Sequence, residues 1–67
     1  MKLREHEILL SPDDKIVVSV QRWKGTTRLD VRYWYKESER WKPTQRGVVA
    51  PVHLGEAFLD AFMDITK

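Results

Sequence analysis

Cysteine is absent from the 67 residues, and glycine and proline number only three each. Without Cys there are no disulfides and no thiolate metal ligands. The two histidines, His6 and His53, stand far apart and lack the paired spacing of a zinc site. No apolar run approaches the length of a membrane span. The start, Lys2-Leu3-Arg4-Glu5-His6, is followed by too short an apolar stretch for a secretion signal. An intracellular chain fits these absences. Catalytic signatures are missing too: no Gly-rich phosphate loop, no Ser/His/Asp set, no HExxH spacing. Asp13-Asp14 belongs to a turn, Asp60 and Asp64 stand one helical turn apart on a wet face, and His53 reads as a surface residue. No enzyme, metal site or cofactor is expected.

Sixty-seven residues make one domain, 1–67, with no room for a second. A core of this size is marginal and needs a disulfide, a metal or a partner chain. With the first two excluded, oligomerisation is the stabiliser that remains.

What the chain does contain is a localised charge. The net charge is +2, but residues 15–47 hold nine cations against three anions, a local +6. Residues 1–14 (two cations, four anions) and 48–67 (one cation, three anions) each balance to −2. A concentrated basic stretch favours polyanions through counterion release. Aromatic residues share that stretch.

His6 to Leu10 reads as a short first strand, and Ser11-Pro12-Asp13-Asp14 as a turn. Lys15 to Trp23 alternates, with Ile16, Val18 and Val20 on one face and Val17, Ser19, Gln21 and Trp23 on the other. Lys24-Gly25-Thr26 turns the chain, with Gly25 free to take a positive φ. Thr27 to Lys36 alternates again: Leu29, Val31 and Tyr33 oppose Arg28, Asp30, Arg32 and Trp34. Glu37-Ser38-Glu39-Arg40 suits a hairpin end. Trp41-Lys42 resumes a strand that Pro43 restricts to an edge or a bend, and Gly47-Val48-Val49 reads as a short buried strand. From Pro51 the period becomes helical, with Leu54, Phe58, Ala61, Phe62 and Ile65 on one face and Leu59 and Met63 widening it. Gly55 weakens that helix by about 1 kcal/mol relative to Ala.

The expected architecture is α+β: a four-stranded antiparallel β-sheet followed by one C-terminal α-helix, assembled as a homodimer. Phe58, Leu59, Phe62 and Met63 are the expected dimer interface, because one helix on one small sheet would leave Leu59 and Met63 wet. The same stripe also fits a single sheet face that absorbs it whole, and the pattern does not choose.

A sheet surface that mixes Trp, Tyr, Arg and Lys suits a ligand with flat bases and a charged backbone, as in single-stranded nucleic acid. Trp41 and Tyr33 read as core residues. Trp23 reads as exposed, since Ser19 and Gln21 share its face and Lys24 follows it. Arg28 lies on the same face, and Arg32 and Trp34 share it, with Arg32 within reach of Asp30 or a phosphate. An interaction module that docks a partner protein on its Trp-rich face is the alternative.

Ser19-Val20, then Trp23-Lys24-Gly25, then Leu29-Asp30-Val31-Arg32, Tyr35, Trp41-Lys42-Pro43 and Arg46-Gly47-Val48 follow one another in an order that resembles the transcriptional coactivator family called positive cofactor four. The resemblance covers about residues 15–65. It implies a homodimer that binds single-stranded or melted DNA with little sequence preference, and it leaves open both RNA as a competing ligand and the transcription machinery as a partner. Carried over, it implies that Trp23 stacks on a base, that Lys24 meets phosphate, and that Arg32, Tyr35, Lys42 and Arg46 line the same path. Alternation points to Trp34 where the resemblance points to Tyr35, and a bulge or twist near the strand end would present either; the expected residue is Tyr35, with Trp34 as the alternative. Thr26 and Thr44-Gln45 replace more basic residues of the family pattern, which implies weaker DNA binding. Gly55 stands about where the family's helix carries Trp. With no Ser-rich acidic stretch before the motif, an activator-bridging role is not expected. A minimal member of this kind points to a prokaryotic or viral source and to the cytoplasm or nucleoid, or to the nucleus in a eukaryote.

Overall fold

The computed structural model describes residues 2–67. Four strands, β1 (Lys2–Ser11), β2 (Asp14–Trp23), β3 (Thr26–Glu37) and β4 (Arg40–Pro51), form one antiparallel meander in chain order. A 3₁₀ turn over Val52–Leu54 leads into helix α1, Gly55–Ile65. The expected α+β architecture is the one observed.

Two of the three hairpins close with two residues at positive φ, the combination whose twist matches that of paired strands. Lys24 (φ 50°) and Gly25 (φ 79°) join β2 to β3. Ser38 (φ 51°) and Glu39 (φ 68°) join β3 to β4 without any glycine. Left-handed backbone at a residue with a Cβ costs roughly 1–2 kcal/mol. The second hairpin carries that cost twice, and an ion pair between Lys42 Nζ and Glu37 Oε1 at 2.7 Å braces its stem.

The elements differ from the sequence reading in three places. β1 begins at Lys2 rather than His6, and its register runs from Lys2↔Gln21 to Ser11↔Asp14. It is an edge strand, exposed along nearly all its length, so no hydrophobic period marks it. Trp41-Lys42 and Gly47-Val49 are parts of one strand, and Val48 and Val49 are exposed rather than buried. Between the pairs Arg32↔Gly47 and Trp34↔Pro43, β4 sets Thr44, Gln45 and Arg46 against the single residue Tyr33. Pro43 is tolerated because β4 is an outer strand. Pro51 ends β4 instead of opening the helix, and Leu54 precedes α1. Gly55 is the helix's first residue, so the interior penalty expected for it does not apply.

Three hydrogen bonds brace the β4 bulge. Arg32 Nη1 donates to the Thr44 carbonyl (2.9 Å), Thr44 Oγ1 donates to the Tyr33 carbonyl (2.7 Å), and the Arg46 N–H donates to Thr44 Oγ1 (3.1 Å). Gly47 closes it, because a Cβ there would stand 2.5 Å from the Val31 carbonyl oxygen.

Burial is the main surprise. The face of Ile16 and Val18 carries α1, yet those residues are only half-buried, and the buried side chains of β2 are Lys15 (6% exposed), Val17 (3%) and Ser19 (3%) on the other face. No second layer covers that face. The sheet curls over it: Lys2 and Trp34 belong to rows about 20 Å apart along β2, yet Lys2 Nζ lies 5.8 Å from the Trp34 ring centroid. We call this the concave face.

On the opposite face α1 leaves a cleft of about 540 Å³ lined by Ile16, Val18, Val31, Val48, Phe58 and Phe62, among others. Within the helix only Gly55 and Phe58 are half-buried, so the sheet does not absorb the whole apolar stripe. The accessible surface is 5620 Å², against about 4,500 Å² for a folded monomer of this mass. The radius of gyration is 13.1 Å, against about 11 Å for a compact chain of this length.

Gly47→Ala should lower stability by about 1–3 kcal/mol, because backbone rather than a flexible side chain meets the new Cβ. Urea unfolding monitored by Trp fluorescence measures it.

Candidate nucleic-acid interface

Unbroken pairing of β2 with β3, from Asp14↔Tyr35 to Trp23↔Thr26, assigns each side chain to a face. Trp23, Arg28, Arg32 and Trp34 lie on the concave side. Tyr35, opposite Lys42, lies on the helix-bearing side. The bulge sits in β4, so β3 keeps its alternation, and Trp34 and Tyr35 project from opposite faces of one strand. The eight residues singled out in the sequence therefore form two groups rather than one path on one face.

Trp23 and Lys24 form the tip of the β2–β3 hairpin. Trp23 is 57% exposed, and Lys24 Nζ stands 5.7 Å from its ring centroid. Arg28, half-buried, lies opposite Gln21 on one side and Pro51 on the other. Arg32 is engaged within the chain. Its Nε and Nη2 donate to Asp30 Oδ1 (3.1 Å) and Oδ2 (3.0 Å), and Nη1 holds the bulge. Hydrogen bonding to the Asp30 carboxylate raises the Arg32 pKa above its ordinary value. Arg32 is thus part of the scaffold that shapes β4.

Trp34 and Trp41 are neither free stacking surfaces nor apolar core. Lys15 Nζ lies 4.3 Å from the Trp41 centroid and 5.6 Å from that of Trp34, and Lys36 Nζ lies 5.0 Å from Trp41. The core reading of Trp41 fails because no layer covers the concave face and cations flank its ring. Lys15 and Lys36 belong to the basic stretch of the sequence, but the pattern gives neither a place in the site, although Lys15 keeps the same parity as Val17 and Ser19.

On the opposite face Arg46, within the β4 bulge, lies 4.9 Å from the Tyr33 ring centroid. Tyr33 is half-buried and its hydroxyl donates to Asp14 Oδ1. Ser11 Oγ donates to Asp14 Oδ2 at 2.8 Å and accepts from the Asp13 N–H, while the Lys36 N–H donates to the Asp13 carbonyl. The β1–β2 turn is thereby tied to β3. Tyr33 and Ser11 hold the Asp14 carboxyl below its usual range, and Asp14 in turn raises the Tyr33 phenol. Hydrogen bonding to Glu37 raises Lys42. Among the described residues no group of three or more His, Cys, Asp or Glu could hold a metal ion.

Phe58 and Phe62 stack at 6.4 Å with 26° between their planes. Leu59, Phe62 and Met63 are each more than half exposed beside the apolar cleft.

A curled four-stranded meander with one C-terminal helix, ringed by cation–aromatic pairs, defines the class. The model of the family Transcriptional Coactivator p15 (PC4) matches residues 10–61, and the chain belongs to that family. Among solved structures, a PC4 homologue from Burkholderia pseudomallei is similar with a TM-score of 0.86 at 17% identity, over 92% of this chain and 85% of that one. A bacteriophage T5 homologue of PC4, implicated in recombination-dependent DNA replication, is similar with a TM-score of 0.69 at 22% identity, over 94% and 77%. MoSub1, solved in complex with single-stranded DNA, is similar with a TM-score of 0.59 at 22% identity, over 92% and 72%. No curated protein matches the sequence.

The Asp14 network sets a pH dependence. Its carboxyl titrates below the ordinary 3.8 in the folded chain, so its stabilisation is fully present above that value and is lost as pH falls through the lowered one. Asp14→Asn should flatten the acid limb of a Tm-versus-pH curve between about pH 5 and 2 and leave the slope near pH 7 unchanged.

Proposed function

We propose that the protein binds single-stranded DNA with little sequence preference, by stacking bases on aromatic rings and meeting phosphates with the neighbouring cations, as a homodimer. The observation that carries this reading is the pairing of ring with cation. All three Trp rings and Tyr33 have a Lys or Arg within 5.8 Å of the centroid. Such pairs occur about once per 70–80 residues in ordinary proteins. Aromatic rings beside cations fit bases and a phosphate backbone at once, and the single-stranded DNA complex of a protein with the same fold supports the choice of ligand.

Trp23 and Lys24 at the hairpin tip make the first contacts, with Arg28 beside them. Tyr35, Lys42 and Arg46 receive the strand on the other side of the β3–β4 ribbon. Arg32 and Trp34 shape the surface between. Melted duplex and RNA share the chemistry of this ligand, and a coactivator-like role in transcription is the process that family membership suggests.

The dimer reading rests on the unclosed helix face. The surface excess of about 1,100 Å² over a compact monomer exceeds the roughly 800 Å² per partner of a standard interface. The excess is apolar around Leu59, Phe62 and Met63, the kind of patch a second copy covers.

In a titration of labelled oligo-dT, Trp23→Ala should weaken binding by about 1–3 kcal/mol, while Arg40→Ala should change it by less. Affinity should fall with salt, by about 0.7 in logarithmic slope per phosphate contact. Equal affinity for duplex and single strands defeats the proposal, and salt-insensitive capture of a protein without oligonucleotide binding favours an interaction module instead.

By light scattering the protein should have twice the 8.0 kDa chain mass, and Phe62→Asp should reduce it to one chain. A wild-type monomer at micromolar concentration defeats the dimer.

A further inference from the structure

Lys15 is the one buried charged side chain among the described residues, and nothing above assigns it a role in binding. An ammonium removed from water is strongly unfavourable unless it is paired. Its Nζ lies 2.8 Å from Glu7 Oε2, 4.3 Å from the Trp41 ring centroid and 5.6 Å from that of Trp34. These partners belong to β1, β4 and β3, while Lys15 itself belongs to β2. One cation therefore touches all four strands from the concave side. Glu7 remains half exposed, so the pair sits at the mouth of the concavity with the ammonium inside it.

With its side chain 8% exposed and its charge engaged, Lys15 is badly placed to meet a phosphate. It is well placed to set the planes of two rings. Lys36 confines Trp41 from its own strand, and Lys2 approaches Trp34 from the end of β1, but each contact is longer than that of Lys15 to the same ring or to its neighbour.

We propose that Lys15 is a positioning residue for nucleic-acid binding: it fixes the orientation of Trp34 and Trp41 and draws β1 over the concave face, without touching the ligand. The proposal rests on the single-stranded DNA reading for its functional half. Ring orientation is measured without DNA.

Lys15→Met keeps the aliphatic stem and removes the cation; Lys15→Arg keeps the cation. Lys15→Met should leave the far-ultraviolet circular dichroism intact and weaken the near-ultraviolet Trp band of the free protein. It should also reduce oligo-dT affinity about tenfold, with Lys15→Arg recovering most of both losses. The slope of log Kd against log salt should stay at the wild-type value. A slope shallower by about 0.7 would mark Lys15 as a direct phosphate contact and overturn the proposal, as would an unchanged Trp band. Should Lys15→Met fail to fold, Glu7→Gln takes its place. It should weaken the Trp band and the affinity in the same direction, and wild-type values for both would overturn the proposal. If the wild type does not bind oligo-dT, the functional reading falls, and the near-ultraviolet band still decides whether Lys15 orients the rings.

Discussion

The continuous register between β2 and β3 is the constraint on which the rest depends. It runs without a bulge from the Asp14 end to the Lys24–Gly25 turn, so the two-residue period of the strands is never reset. A shift by one residue would send Val17 and Ser19 to the helix side and place Ile16 and Val18 in the concavity. Lys15 would then lose Glu7, Trp34 and Trp41 together. The irregularities lie in the outer strands, where β1 and β4 wrap around this fixed centre.

The two faces solve burial in different ways. Helix-side residues are apolar and remain only partly covered, whereas the concave side mixes charge with aromatic rings and buries its centre by curvature. Hydrophobic residues of β2 and β3 thus stabilise the fold fully only when something closes the cleft. Polar and aromatic contacts set the shape of the concavity within a single chain. The proposed assembly surface and most of the proposed ligand surface therefore fall on different sides of one sheet, with Tyr35 and Lys42 on the helix-bearing side.

Much of this was legible in the residues. Alternation from Lys15 to Trp23 and from Thr27 to Lys36 gave the central strands and their facing, and the change of period after Pro51 gave the helix. β1 escaped because an exposed edge strand needs no apolar rhythm. The continuity of β4 escaped because Pro43 and Gly47 read as breaks, while the hydrogen bonds of Thr44 and Arg32 that bridge them are not encoded as a local pattern. Trp23 was read as exposed from its polar neighbours, and it is. Trp41 was read as core because a large aromatic ring has no mark distinguishing an apolar neighbour from a lysine stem. The resemblance sets the candidate residues on one path, and their division between faces follows from parity across β3: Arg28, Arg32 and Trp34 are even, and Tyr35 is odd. That parity was in the sequence, but the resemblance, which favoured Tyr35, competed with it.

The bulge in β4 has a further consequence. By holding three residues against one, it stores two residues of slack in the outer strand and closes the excess with its own hydrogen bonds. The segment before it, with the Ser38–Glu39 tip, and the segment after it, with Val48 and Ala50 on the helix side, are therefore joined through side-chain hydrogen bonds of Arg32 and Thr44 rather than through an unbroken ladder. Because the excess is two residues, an even number, the strand leaves the bulge with the parity it had on entering. Trp41 before it and Val49 after it thus lie on the same side of the sheet.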